Sequence, residues 1–207
     1  MFPDLTRDDV FRLETRRLWL RWPRQADAPA ILRLAGETAV AEMTARIPHP
    51  YPAEAATAFV LASRRANAEG SGLTLAITPR AKPGTLIGAV AITEQDGRAA
   101  LGYWLGSPHW GEGLATEAVR ALIDAYFAYT SGGELHASAR VINGASRRVI
   151  EKCGFVPTGS RLHPFPARGG VFPVDTFRLD RRTWSSFKAW SSTGFVPQGR
   201  HEESHAV

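Results

Sequence analysis

The chain has 207 residues, 44% of them hydrophobic and 22% charged, with a formal net charge of +5. Such values belong to a folded domain with a sizeable core and exclude a disordered chain. The basic residues are scattered as pairs such as Arg16-Arg17, Arg64-Arg65, Arg147-Arg148 and Arg181-Arg182. No basic arm for nucleic acid results, and the modest positive excess suits an anionic ligand. The single cysteine, Cys153, excludes an intrachain disulfide and fits a reducing compartment. The opening "MFPDLTRDDVFRLETRR" has no apolar run of a signal peptide, and no stretch approaches a membrane span. The expectation is a cytoplasmic protein without a membrane segment.

Taken in chain order, "RRLWLRWP" alternates apolar and basic residues and predicts a strand with one buried face. Asp27 then caps a helix over "DAPAILRLAGE", with proline in its first turn and a late glycine. "ARIPHPYP", with three prolines, is loop, and Ala53 to Gly70 forms a second helix stopped by Gly70. "LTLAITP", "GTLIGAVAITE" and "RAALGYWLG" predict an antiparallel meander. "LATEAVRALIDAYFAYT" is apolar nearly all round and predicts a buried helix. "ELHASARVI" is a strand, "ASRRVIEKCG" a short helix, "GFVPTGSRLHPFPARGG" irregular, and "VFPVDTFRLD" a last strand. The order predicts an α+β domain with a mixed sheet. Its expected organisation is an N-terminal arm over 1–12, one domain over 13–190 and a mobile tail over 191–207.

The stretch "HWGEGLATEAVR" opens the buried helix with two glycines. A triphosphate loop is excluded, because no lysine follows either glycine. A dinucleotide fingerprint fits poorly: its sixth position is Thr116, and Gly106 to Trp110 separate the strand from Gly111. Two readings stay open, a plain strand-to-helix turn and a pyrophosphate cradle built from unpaired backbone N–H groups. Downstream, "VINGASRRVIEKCGF" offers Asn143 as the start of a helix, with Ser146 one turn on.

Together these stretches resemble the GNAT superfamily of acetyl-coenzyme A-dependent N-acetyltransferases, nearest the RimJ/RimL type that acetylates ribosomal-protein N-termini. "LETRRLWLR", "PHPYP", "GYWL", "WGEGLATEA", "NGASRRVIEKCGF" and "FRLDRRTW" carry the resemblance in order and spacing, from about Leu13 to Trp184. It implies a GNAT fold, a mixed sheet with a splayed strand pair flanked by helices. It also implies acetyl-coenzyme A as co-substrate and no metal. Trp110 takes the first place of the family's glycine loop, and the N–H groups of Gly111, Gly113, Leu114, Ala115 and Thr116 should hold the coenzyme pyrophosphate. Trp104 and Leu105 should border the pantetheine arm, and Asn143 should bond that arm or the acceptor.

Acetyl transfer to an amine requires loss of the amine proton and N–H donors for the tetrahedral oxyanion. No covalent enzyme intermediate is needed, so Cys153 is read as a packing residue. Many GNAT enzymes carry a thiol-protonating tyrosine just before "EK"; here Ile150 stands there, and Ser146, on the same helix face, inherits the role by resemblance or only bonds the coenzyme. Relatives often place a glutamate where Ala100 stands, so Glu94, His136 or a water chain is the candidate base. The proline loop at Ile47–Tyr51 and "RLHPFPARGG" should line the pocket for the amine acceptor, a protein N-terminus or a small molecule. "HEESH" at His201–His205 matches a zinc motif without the apolar helical flank that motif needs, and is read as chance. The alternative function is an acyl-coenzyme A-binding module without catalysis. No nucleic-acid or membrane partner is expected, and monomer and homodimer remain open.

Overall fold

The computed structural model describes residues 1–192. "HEESH" and the expected tail from 193 onward lie outside the described residues. Strands β1 (Arg12–Glu14) and β2 (Leu18–Arg21) form a hairpin, followed by helices α1 (Ala28–Ala35), α2 (Thr38–Ala41) and α3 (Ala53–Glu69). The meander β3 (Gly72–Pro79), β4 (Gly88–Gln95) and β5 (Arg98–Leu105) comes next, then α4 (Leu114–Tyr129), β6 (Glu134–Arg140) and α5 (Gly144–Lys152). The hairpin β7 (Val156–Phe165) and β8 (Gly170–Asp180) and helix α6 (Arg181–Ser192) complete the described chain.

The strands join in one sheet of order β1-β2-β3-β4-β5-β6-β8-β7. All pairings are antiparallel except β5 with β6. The expected α+β mixed sheet is therefore present. Helix α4 packs Val119, Leu122, Ile123 and Phe127 on one face of the sheet, against Val90, Ile92 and Leu101. Helices α1 and α3 cover the other face with Ile31, Leu34, Ala56 and Val60, against Ala76, Leu86 and Trp104. Phe2 reaches into the larger core and is 1% exposed. Burying each such large apolar side chain contributes about 1.5–3 kcal/mol.

Two local expectations need correction. "GFVPTGSRLHPF" is not irregular: it is β7, paired with β8 from Val156–Arg178 to Phe165–Gly170 with a bulge between Pro157 and Gly159. Its prolines hide the strand pattern, and they are tolerated because β7 is an edge strand. Asp27 precedes α1, but its side chain does not cap it. The carboxylate instead takes two bonds of 2.8 Å from the Arg21 guanidinium and one of 2.7 Å from the Arg24 N–H. Both side chains are nearly inaccessible, at 6% and 2% exposed, so the pair ties β2 to the start of α1 in a low-dielectric setting. Gly70 ends α3 as expected, in the left-handed conformation at φ +69°.

Candidate functional site

The site follows from one incomplete pairing. Parallel strands β5 and β6 share a single register pair, Ala100 with His136. Beyond it they diverge toward Leu105 and Arg140, and a cleft of about 1550 Å³ opens there. Each strand runs into a helix, β5 into α4 and β6 into α5. Because the strands are parallel, both helix N-termini meet the same open end of the cleft. Unpaired N–H groups and the positive ends of two helix dipoles therefore converge on it.

The loop before α4 is shaped for an anion. Gly111 and Gly113 have φ of +80° and +76°, in the left-handed region that side chains avoid. Gly113 is the N-cap of α4. Among the described residues, the N–H groups of Gly111, Gly113, Leu114, Ala115 and Thr116 donate to no protein backbone acceptor. Two tethers hold the loop. The Trp110 indole N–H donates to the Leu105 carbonyl at 2.7 Å and closes the strand-to-loop turn. On the other side, Arg17 donates to the Glu112 carbonyl at 2.9 Å and to the Glu117 carboxylate at 2.7 Å. Glu117 also accepts from the Arg17 N–H at 2.8 Å and from the Thr15 hydroxyl at 2.6 Å. Burial of the Glu117 carboxyl raises its pKa, but these bonds and the Arg17 charge outweigh burial and leave it below the usual value. Arg17 and Glu117 were not singled out from the sequence; an acidic residue in the first turn of a helix was the available signal.

On the second helix, Asn143 Oδ1 accepts from the Ser146 N–H at 2.9 Å, so Asn143 caps α5 and its amide Nδ2 is left for another acceptor. The Ser146 hydroxyl lies 2.8 Å from the Tyr103 hydroxyl, a contact in which either can donate, and the Ser146 carbonyl is a second, longer acceptor for the phenol at 3.2 Å. Tyr103 reaches α5 from β5. Burial drives its phenol pKa up, the bond to Ser146 opposes it, and the net shift is far upward. Tyr103 was missed as a site residue, although it lies inside "GYWL". Alternation along β5 turns it away from Trp104 and toward α4 and α5.

The other expected site residues divide. Trp104, Trp110, Gly111, Gly113, Leu114, Ala115, Thr116, Asn143, Ser146 and His136 all line the cleft. Leu105 does too, but its side chain is 6% exposed and built into the core, so its edge is backbone. His136 Nε2 is 2.8 Å from Glu134 Oε1. Glu94 is not brought to the cleft. Its neighbours Thr93 and Gln95 line the cleft but Glu94 does not, and its side chain is exposed.

Of the expected acceptor loops, only Ile47 of Ile47–Tyr51 reaches the cleft. His49 is turned to the Gly36 carbonyl and the Thr38 hydroxyl, and Tyr51 packs with the second core. Arg161, His163 and Phe165 of β7 do line it. The tip of the β7–β8 hairpin is tied across to the loop after α2: Ala167 N–H donates to the Ala45 carbonyl at 3.2 Å and Arg168 to the Ile47 carbonyl at 2.5 Å. Arg140 adds a bond of 2.7 Å to the Glu42 carbonyl. This half of the cleft carries Arg46, Arg98, Arg140, Arg161 and Arg178 against Glu42, Asp96 and Glu134. Burial lowers the pKa of His163, and the Arg161 and Arg46 charges lower it further against the pull of Asp96.

Cys153 packs against the core, and burial pushes its thiol up to about 11, which suits a packing role better than a nucleophile. Among the described residues no cluster of His, Cys, Asp and Glu could hold a metal ion, and no helix is long and apolar enough to cross a membrane.

Residues 17–156 match the acetyltransferase (GNAT) domain family. The chain is 33% identical over 94 residues to the uncharacterized N-acetyltransferase p20 of Bacillus licheniformis, across 45% of this chain and 53% of that protein. It thus spans about half the length of that curated relative. Its fold is similar to ribosomal-protein-S5-alanine acetyltransferase from Vibrio fischeri, with TM-score 0.71, 18% identity, and coverage of 84% of this chain and 98% of the other. It is also similar to the microcin C7 self-immunity acetyltransferase MccE, solved in complex with acetyl-CoA and AMP, with TM-score 0.68, 20% identity, and coverage of 80% and 93%.

Proposed function

The chain belongs to the acetyltransferase (GNAT) family, and from that premise we propose that it moves an acetyl group from acetyl-coenzyme A directly to a primary amine. The observation that carries this reading is the convergence of the α4 and α5 N-termini on the β5–β6 cleft, with a row of N–H groups at Gly111–Thr116 that no backbone group among the described residues accepts. Such a row suits a pyrophosphate, and a glycine-shaped loop lets backbone rather than side chains approach it. The open parallel pair suits the extended pantetheine arm, with Trp104, the backbone at Leu105 and the Asn143 amide along it.

In the proposed reaction the amine attacks the thioester carbon, the C–S bond breaks and the thiolate leaves with the electron pair. Ser146, at the cleft end of α5, is the hydrogen-bond donor for the departing sulfur. His136 is the base for the amine proton. It lines the cleft, and its contact with the Glu134 carboxylate suits a ring with Nε2–H bonded to Glu134 and the lone pair on Nδ1. Glu94 does not take the role, because it does not line the cleft.

The acceptor is a protein N-terminus, the class implied by the resemblance to the RimJ/RimL type, or a small amine. The arginines on the acceptor side favour an amine that also carries a carboxylate or phosphate. Thiol release from acetyl-coenzyme A is measured with matched amines that differ only in such an anionic group. Anion-bearing amines should turn over faster, with the advantage shrinking in high salt. Tight coenzyme A binding with no turnover on any amine would instead establish the non-catalytic module.

A further inference from the structure

We propose that Tyr103 is a positioning residue for Ser146: its phenol donates to the serine oxygen and leaves the serine's own proton free to point at the sulfur of coenzyme A. The inference rests on reading the cleft as the coenzyme site. It also addresses what the sequence left unexplained, the tyrosine missing from α5 where Ile150 stands. A phenol does come to this place, but from the neighbouring strand and through the serine.

The geometry supports a directed bond. The Tyr103 hydroxyl is nearer to Ser146 Oγ, at 2.8 Å, than to the Ser146 carbonyl, at 3.2 Å. That carbonyl lies in the first turn of α5, where it serves the helix ladder, so it does not depend on the phenol. If the phenol gives its one proton to Oγ, the serine hydroxyl has no acceptor on Tyr103 and turns outward to the cleft. Without the phenol, the serine hydroxyl is no longer held from the strand side and satisfies itself by bonding back to the Asn143 carbonyl, three residues earlier. Its proton then points into the helix and away from the sulfur. No proton leaves Tyr103 in this scheme: burial holds its phenol protonated, so it remains a donor throughout. The tyrosine ring packs against the main core, which fixes the hydroxyl from the other side.

The test needs no amine. Coenzyme A is bound to the protein and its thiol titrated by ultraviolet thiolate absorbance. The same protein without coenzyme A is subtracted to remove Cys153 and the tyrosines. A hydrogen bond from Ser146 stabilises the thiolate, so the bound thiol should titrate about one unit lower in the wild type than in Ser146→Ala. Tyr103→Phe and Tyr103→Met both lack the hydroxyl, and both should move the titration at least half of the way to the Ser146→Ala value. In the Ser146→Ala background, Tyr103→Phe should change nothing, because its effect runs through the serine. A wild-type titration in both Tyr103 variants overturns the proposal, as does an equal shift in the Ser146→Ala background. A wild-type protein that does not bind coenzyme A overturns the reading of the cleft itself.

Discussion

Substituting Gly113 with alanine isolates the backbone cradle from side-chain chemistry. Gly113 sits at φ +76°, and the nearest atom to an added Cβ, outside its chain neighbours, is the Arg17 guanidinium at 3.8 Å. That distance is ordinary contact, so the alanine meets no clash and its cost is conformational. A left-handed L-residue costs about 1–2 kcal/mol. If the loop relaxes to relieve this, the N–H groups from Gly113 to Thr116 turn away from their common focus. The cost then appears in coenzyme affinity, as a roughly 5- to 30-fold rise in Kd at about 1.4 kcal/mol per decade. Calorimetric titration should show this loss for coenzyme A, whereas pantetheine, which lacks the pyrophosphate, should compete equally well against both proteins. Coenzyme A affinity within twofold of wild type, or equal losses for both ligands, would refute the cradle assignment.

Three further outcomes follow from particular contacts. Asp27→Ala leaves the Arg21 charge buried without its carboxylate, which costs about 3–5 kcal/mol. Thermal melting should fall by roughly 6–20 °C for a chain of this size. Glu117 is held below the usual carboxylate value of 4.5, so its stabilisation of the glycine loop is complete above that pH and lost as pH falls through the depressed value. The difference in melting temperature between wild type and Glu117→Gln should therefore be constant near neutrality and close in acid. A gap that widens in acid contradicts the Arg17–Glu117 tether. Arg161→Gln removes a like charge beside His163, so the His163 ring, followed by NMR, should titrate at higher pH than in the wild type. An unchanged or lower titration would separate the two residues.

Much of this protein was decided by its local sequence. The runs "LTLAITP" and "GTLIGAVAITE", set between turn residues, specify strands, and Gly70 stops α3 because only glycine takes that conformation cheaply. The glycines at 111 and 113 and the asparagine at 143 announce two helix starts, and with them the candidate anion site. These features depend on a few neighbouring residues, so they survive in one dimension. β7 did not, because an edge strand can carry Pro157, Gly159 and Pro164, which in a central strand would break the ladder. Asp27 could not be distinguished from a helix cap until Arg21 was brought beside it. The faces of strands were also decided only by assembly. Only in the assembled sheet does Glu94 fall outside the cleft, and which side of β5 meets α5 determines that Tyr103 reaches Ser146. The grip of Arg17 on a carboxylate 100 residues away likewise exists only where β2 and α4 are packed against each other. Contacts of that separation depend on the relative placement of whole elements, which the burial of a shared apolar core decides and no local pattern records.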